Sequence, residues 1–481
     1  MPAHVTRARR LLLVGLGVGM LGALLAWASL DARPAFPVGV VILGAAALLL
    51  VWRAAERWTA LLAAAGSLLV LSRLLGNAGA AQLLGEDGSA VAMGRALQGI
   101  GTLCAISAGV WIGLRGRRRR HRSAAPATAA GSASAGTAAA AGSPRDRLVV
   151  IGSLVVSSAI GAELLSAYND TTGRPVELLF NVAFFALLYG CPTLLIRELA
   201  RRTGRGWPMM LLLSAAAGLL QAGVIDQSLF SDSYGDVKGW EESLRATYVA
   251  PLGLGAHMLQ GFVVGHVVYS FCAPIALVEA MRPGLAHRAW LGWRGVAVSA
   301  ALWLLVAALI LSDALGSEAH ATLPEAAATL AVIAALVAAA FCVGRVARPD
   351  RERTPRLRTV LVVSFVAASA HAMAMETWLG VAVAAFVLVT SGWLLARASR
   401  GRDWGLAHTA AVAVGVLLSR AALAFTYYPV VGETSAERKY AHNVVMLLIV
   451  IGAGAYALRR ARGSHSDRPD APSPAVWTPV T

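Results

Sequence analysis

Charge is scarce in this sequence: Asp, Glu, Lys and Arg make up 14% of its 481 residues, roughly half the share carried by a soluble globular domain. Hydrophobic residues supply 57% and there are 48 glycines besides, so too little polar surface exists to cover a chain of this size in water. That excludes a soluble enzyme. Cysteine is nearly absent as well. Cys104, Cys191, Cys272 and Cys342 all fall within apolar stretches, and neither a Cys-x-x-Cys nor a mixed Cys/His spacing is present. A disulfide framework and a structural zinc site are therefore unsupported, and the thiols read as small packing residues. Walker loops, dinucleotide fingerprints, nucleophile elbows and His-Glu-x-x-His helices are missing, which removes the usual grounds for nucleotide-driven transport and for the common hydrolase mechanisms.

What the sequence does have is apolar length. Fourteen stretches occupy positions 11–30, 36–52, 58–76, 90–114, 148–168, 177–199, 207–225, 254–279, 292–311, 325–344, 359–376, 378–396, 408–428 and 443–458. At about 1.5 Å per residue each can cross a hydrocarbon core. The expected fold is an all-α integral membrane protein with about 14 transmembrane helices, arranged as four plus ten. A net charge of +16 would suggest nucleic acid in a soluble protein, but the 42 basic residues, all Arg except Lys238 and Lys439, collect in alternate connections. The other side and the spans hold most of the 26 acids. By the positive-inside rule both termini are expected in the cytoplasm, with the protein in a bacterial-type cytoplasmic membrane. Arg117, Arg118, Arg119, Arg120 and Arg122 then read as a stop signal beside anionic headgroups, not as a nucleic-acid patch.

Residues 1–122 are expected to form a four-helix membrane region, 123–147 a flexible cytoplasmic Ala/Ser/Gly linker, 148–462 a ten-helix membrane domain and 463–481 a disordered cytoplasmic tail. Arg7, Arg9 and Arg10 precede the first apolar run, and Ala26-Trp27-Ala28 mimics a signal-peptidase site. The length of the run favours an uncleaved helix. Gly15, Gly19 and Gly22 share one of its faces, which suits close helix packing. The loop 228–251 carries Asp232, Asp236, Glu241 and Glu242 with Tyr234, Trp240 and Tyr248. It is expected as a solvated loop with a short amphipathic segment and interfacial aromatics, a cap over an entrance being the sharper alternative. Tyr189-Gly-Cys191-Pro192 leads to Arg197-Glu198, and Ser270-Phe-Cys272-Ala-Pro274 leads to Glu279, a weak sign of duplication with a proline bend in each helix.

Ionisable groups within hydrocarbon are costly and must face protein or water, so each is a candidate for function. Counted from the span ends, His266 lies nearest the bilayer middle, Arg420 just outward of it, and Glu163, Gln221 and His371 in the outer half. Arg73, Arg95, Asp226, His257 and Glu376 fall near the outer boundary. The predicted ligand-binding set is Glu163, Gln221, His266, His371 and Arg420, lining a polar cavity that opens outward. Plainer alternatives are an ion pair of Arg420 with Glu163 or Glu376, and a hydrogen bond from His266 to a carbonyl or a serine on a neighbouring helix. Phe262, His266 and Ser270 share a face at i, i+4 and i+8.

Gly218-Leu-Leu-Gln221-Ala222-Gly223 on one span and Phe262-Val-Val-Gly-His266-Val-Val-Tyr-Ser270-Phe-Cys-Ala-Pro274-Ile-Ala-Leu-Val-Glu279 on the next resemble an uncharacterised group of prokaryotic polytopic membrane proteins. More remotely they are similar to the CAAX-endopeptidase-like intramembrane metalloproteases, which carry a Glu-Glu pair on one helix and Phe-x-x-x-His on the next. The resemblance covers about residues 148–290. It implies glutamates that activate a water and histidines that support it or bind metal. Here Gln221 and Ala222 stand where the two glutamates would, and Asp226 where an arginine would follow. The resemblance therefore implies an inactive relative that binds a ligand, with no catalytic residue, metal or cofactor expected.

The function expected from the sequence is binding or translocation of a small solute or lipid-like ligand, among membrane lipids and without nucleic acid. A metal-dependent intramembrane peptidase-like protein and a membrane scaffold are the alternatives. The sequence leans away from an enzyme and leaves the oligomeric state open.

Overall fold

Backbone groups in hydrocarbon must be paired within their own segment, so uninterrupted apolar runs of this length fold as helices. The computed structural model describes residues 3–29, 88–115, 144–169, 171–234, 237–316, 320–343 and 354–466, with isolated positions between 40 and 83. Its helices are α1 (Ala3–Ala28), α2 (Ser89–Arg115), α3 (Pro144–Ala159, continued by a π-helical turn at Ile160–Leu164), α4 (Pro175–Thr203), α5 (Gly206–Ile225), the short α6 (Trp240–Arg245) and α7 (Ala256–Met281). They continue with α8 (Trp293–Gly316), α9 (Leu323–Cys342), α10 (Leu357–Ala372), α11 (Trp378–Ala398), α12 (Leu406–Thr426) and α13 (Ala436–Ser466). Eleven of these are long and apolar enough to cross a membrane, α6 and the apolar but shorter α10 being the exceptions. The chain is an all-α, multi-pass membrane protein.

The expected spans 36–52 and 58–76 lie largely outside the described residues, as do 116–143 of the linker region and the tail from 467. α3 begins at Pro144, within the stretch 123–147, because proline loses nothing in the first helical turn and Asp146 there suits the positive helix end. Toward the C-terminus α13 continues to Ser466.

α1 and α2 meet through glycines. A Cβ on Gly101 would lie 2.2 Å from the Gly19 nitrogen, and one on Gly22 would lie 2.4 Å from the Gln98 nitrogen. The Gly15, Gly19 and Gly22 face is thus a helix contact, and the pair shares a core with α10 and α11 through Leu12, Leu16, Ala105, Ala370 and Val383. α3, α4, α5 and α7 build a second core, and α3, α7, α12 and α13 a third. α8 and α9 bury little of themselves and turn Leu and Val side chains outward, the surface a bilayer would cover.

Successive spans reverse direction, which gathers the connections 165–174, 226–255, 373–377 and 427–435 at one end, called upper here. Val430 N–H donates to the Tyr168 carbonyl at 2.8 Å, Ala321 N–H to Gln227 Oε1 at 2.7 Å, and Ser243 Oγ to Glu376 at 2.6 Å, tying those connections together. In the loop 228–251 the acidic aromatic stretch forms α6, followed by a two-stranded hairpin of β1 (Tyr248–Val249) and β2 (Leu254–Gly255).

Candidate functional site

A π-helical turn inserts one residue into the helix and disturbs its hydrogen-bond ladder, so it is rare and concentrates where its exposed groups are used. The described residues contain four: Ile160–Leu164 in α3, Ala186–Gly190 in α4, Gln221–Ile225 in α5 and His266–Cys272 in α7. They hold Glu163, Tyr189, Gln221 and His266 respectively. Two have a visible cause in Pro192 and Pro274, each the second residue after its turn. Proline has no N–H to donate and clashes with the carbonyl four residues back. Ahead of Pro274 that carbonyl is Ser270, and it is taken up by the Ser158 hydroxyl and by Thr193 Oγ1 at 3.1 Å. α3 and α7 are pressed together here, since a Cβ on Gly161 would lie 2.3 Å from the Tyr269 carbonyl oxygen.

One half of the cluster is acidic. Tyr168 donates its hydroxyl to Glu163 Oε2 at 2.6 Å. The Glu163 charge, with burial adding to it, holds the Tyr168 phenol well above the usual tyrosine range, so it remains a donor. Gln221 Nε2 donates to Asp226 Oδ2 at 3.1 Å, and the Ser228 N–H to Oδ1 at 3.0 Å. Burial pushes the Asp226 carboxyl upward, against those two bonds. Tyr189 and Tyr234 each lie within electrostatic range of both Glu163 and Asp226. Tyr234 stacks on Trp240 at 4.8 Å, and Trp240 packs on Phe262 at 5.8 Å, so the upper loop folds over this half.

The other half is basic. His266 stacks on Tyr189 with ring centroids 5.4 Å apart, and its Nδ1 lies 3.2 Å from Ser270 Oγ. That serine is one turn on in the same helix, not on a neighbour. Arg420, from α12, sets its guanidinium over the Tyr269 ring at 5.2 Å, within electrostatic range of His266 and Tyr427. Its Nε is buried without a hydrogen-bond partner. Among the described residues no carboxylate approaches Arg420 within 4.0 Å. The expected pairing with Glu163 or Glu376 does not form; Tyr168 donates to the first and Ser243 to the second.

His371 stands apart from the other four predicted residues. Its electrostatic neighbour is His257, whose Nε2 is 3.2 Å from the Ala374 carbonyl, and its own Nε2 is buried unpaired. Helical phase explains the separation: Ser369 faces Ser419 of α12 at 2.9 Å, and two residues on turn His371 roughly 200° away from it. The lining is built of tyrosines that no sequence motif marks. Tyr168, Tyr189, Tyr234, Tyr269 and Tyr427 all meet the cluster, five of the nine tyrosines in the chain. Their rarity in an apolar sequence was the signal available.

A small cavity of about 10 Å³, room for one water molecule, lies beside Glu163 and is lined by Asn169, Thr171, Thr172, Asn181 and His442. The His442 Nε2–H donates to the Leu164 carbonyl at 2.8 Å, in the final residue of the α3 π turn.

A second polar network closes the lower end and differs in being fully paired. Arg197, wholly buried, donates to Glu279 Oε1 at 3.0 Å, Glu198 Oε1 at 2.9 Å and the carbonyls of Leu285 and Ala286 at 3.1 and 2.8 Å. It also stacks on Trp290 at 3.4 Å. Arg201 donates to both oxygens of Glu279, and Glu198 accepts from the Trp290 N–H at 2.7 Å. This network ties α4 to α7 and to the turn beyond it, and every charge in it has an opposite partner.

Among the described residues no group of three His, Cys, Asp or Glu side chains is arranged to hold a metal ion. Comparison of the chain with protein-family models, curated proteins and solved structures yields no match.

Proposed function

We propose that the cluster of Glu163, Gln221, His266 and Arg420 is the ligand site of a membrane protein that binds or translocates a small solute or lipid-like ligand. The observation that carries this reading is the coincidence of all four π-helical turns of the described chain with one polar cluster whose arginine has no carboxylate. His371 is not part of it. The Arg-rich lower end supports an orientation with that end and both termini in the cytoplasm, so that the site faces outward.

Kinship with the CAAX-endopeptidase-like proteins, as an inactive relative, is part of the proposal. Its support is the packing of the two motif helices: a Cβ on Gly218 would lie 3.0 Å from His266 Cβ. A working peptidase would need acids facing that histidine, whereas Gln221 and Ala222 occupy their places and Arg420 faces it. A pure scaffold would leave the desolvated Nε of Arg420 unexplained.

Access from outside is the test. In a variant with its four cysteines replaced by alanine, Glu163→Cys is expected to react with a small membrane-impermeant methanethiosulfonate reagent in sealed right-side-out vesicles. Reaction only after permeabilisation, or only in inverted vesicles, would sink the outward-facing site.

A further inference from the structure

The ligand site, if the reading above holds, consists of two half-sites of opposite character. On one side two carboxylates, Glu163 and Asp226, are surrounded by the phenol groups of Tyr168, Tyr189 and Tyr234, and Trp240 stacks behind Tyr234. Carboxylates among aromatic faces recognise an ammonium, by charge and by cation–π attraction. On the other side Arg420 lies over Tyr269 with an unpaired Nε, beside Tyr427 and His266, and has no acid to neutralise it. A guanidinium so placed recognises an oxyanion.

The rings of Tyr189 and His266 stack on one another where the two halves meet, one ring belonging to each half. Glu163 and Arg420 are consequently held apart, although both lie in membrane-crossing helices where opposite charges ordinarily pair. A ligand that satisfies both must carry a cation and an anion. We infer that the site takes a zwitterion of the phosphoethanolamine type, its ammonium among Glu163, Asp226 and the tyrosines and its oxyanion on Arg420. The same chemistry occurs in a free solute and in a lipid headgroup.

The test uses the full chain in detergent, with thermal unfolding followed against phosphoethanolamine and against its halves, ethanolamine and inorganic phosphate. Phosphoethanolamine is expected to stabilise the protein at concentrations at least tenfold below either half. Glu163→Gln and Arg420→Gln are each expected to weaken that response at least tenfold while the protein elutes as a single species. Should Arg420→Gln fail to fold, Arg420→Lys, which keeps the charge but loses the fork, is expected to weaken it less.

Nanodiscs of phosphatidylethanolamine and of phosphatidylglycerol separate the two sources. Selective stabilisation in the former, competed by free phosphoethanolamine, assigns a lipid headgroup; equal stability in both discs with retained response to the free compound assigns a solute. Phosphate binding as tightly as phosphoethanolamine, lost in Arg420→Gln but untouched by Glu163→Gln, would overturn the zwitterion and leave an anion site standing. A response to none of the three probes, in detergent or in either disc, would overturn the inference as well, with the labelling of Glu163→Cys then deciding the ligand site separately.

Discussion

Arg197→Met is expected to be among the most damaging single changes in this protein. The methionine fills most of the space of the aliphatic stem but removes the guanidinium, and four hydrogen bonds and a stack on Trp290 go with it. Two carbonyls, of Leu285 and Ala286, lose the Arg197 donor within a buried turn. Glu279 keeps only Arg201, and Glu198 keeps Arg202 at 3.4 Å together with the Trp290 N–H. Removing one partner of a buried ion pair costs about 3 to 5 kcal/mol, chiefly because the remaining charge is left desolvated. At about 1.4 kcal/mol per tenfold, that is roughly two to four decades in the folding equilibrium. The retained partners of both glutamates point to the lower half of that range.

A double-mutant cycle makes the argument refutable. If the cost of Arg197→Met is orphaned charge on Glu279, then Glu279→Gln in the same chain should recover part of it, giving a coupling of about 1 to 3 kcal/mol. Unfolding of the detergent-solubilised chain by a denaturing detergent, followed through tryptophan fluorescence, reads the equilibrium directly. Additive effects of the two substitutions, or an Arg197→Met variant within about 1 kcal/mol of the parent, would show that the network does not hold α4 against α7.

Two further outcomes follow from the packing and the acid pair. Gly101→Ile places a branched side chain where even a Cβ would be 2.2 Å from the Gly19 nitrogen, so α1 must move off α2 at a cost of at least about 1 to 3 kcal/mol; disulfide trapping between cysteines placed on the two helices should fall, and unchanged trapping would refute the close contact. Asp226 is raised by burial, which means the native state holds its proton more tightly than the unfolded chain and loses stability as pH climbs past the ordinary carboxylate range. Asp226→Asn should therefore raise the unfolding temperature at neutral pH and change little below pH about 4, where both forms are neutral; a destabilised variant at pH 7 would contradict this.

Much of the architecture was legible because hydrocarbon imposes a length on apolar helices and a cost on charge. The twelve apolar helices described here fall on twelve of the expected stretches, and the glycine face of α1 follows from helical periodicity alone. Glu163, Gln221, His266 and Arg420 were legible as costly groups, but their partners were not. Whether Arg420 meets an acid depends on the relative rotation of α3 and α12, and the roughly 200° of helical phase between Ser369 and His371 sets the histidine toward His257 instead. The π turns left no mark except Pro192 and Pro274. The burial of Arg197 leaves no mark in the sequence, since a long side chain near a span end ordinarily reaches water. Only the return of the chain over 282–292 encloses it, with Trp290 on its guanidinium.

The two polar networks separate structure from function by their degree of satisfaction. At the lower end each buried charge is paired, and breaking the pairing strands a partner. At the upper end Arg420 has no carboxylate and a buried Nε with nothing to bond, while its neighbours His266, Tyr269 and Tyr427 do not need it for neutrality. An arginine kept in that state lowers stability unless a ligand completes it, and sites of this kind are where natural sequences sacrifice stability. Arg420→Met should then leave the empty protein as stable as the parent or up to about 1 kcal/mol more stable, since replacing desolvated charge by apolar volume is neutral or favourable. The contrast with Arg197→Met, measured by the same unfolding assay, isolates the point: two arginines in apolar helices, changed to the same residue, one change destabilising and the other not. Equal losses for the two would mean that Arg420 braces the bundle, and the ligand site would lose its main support.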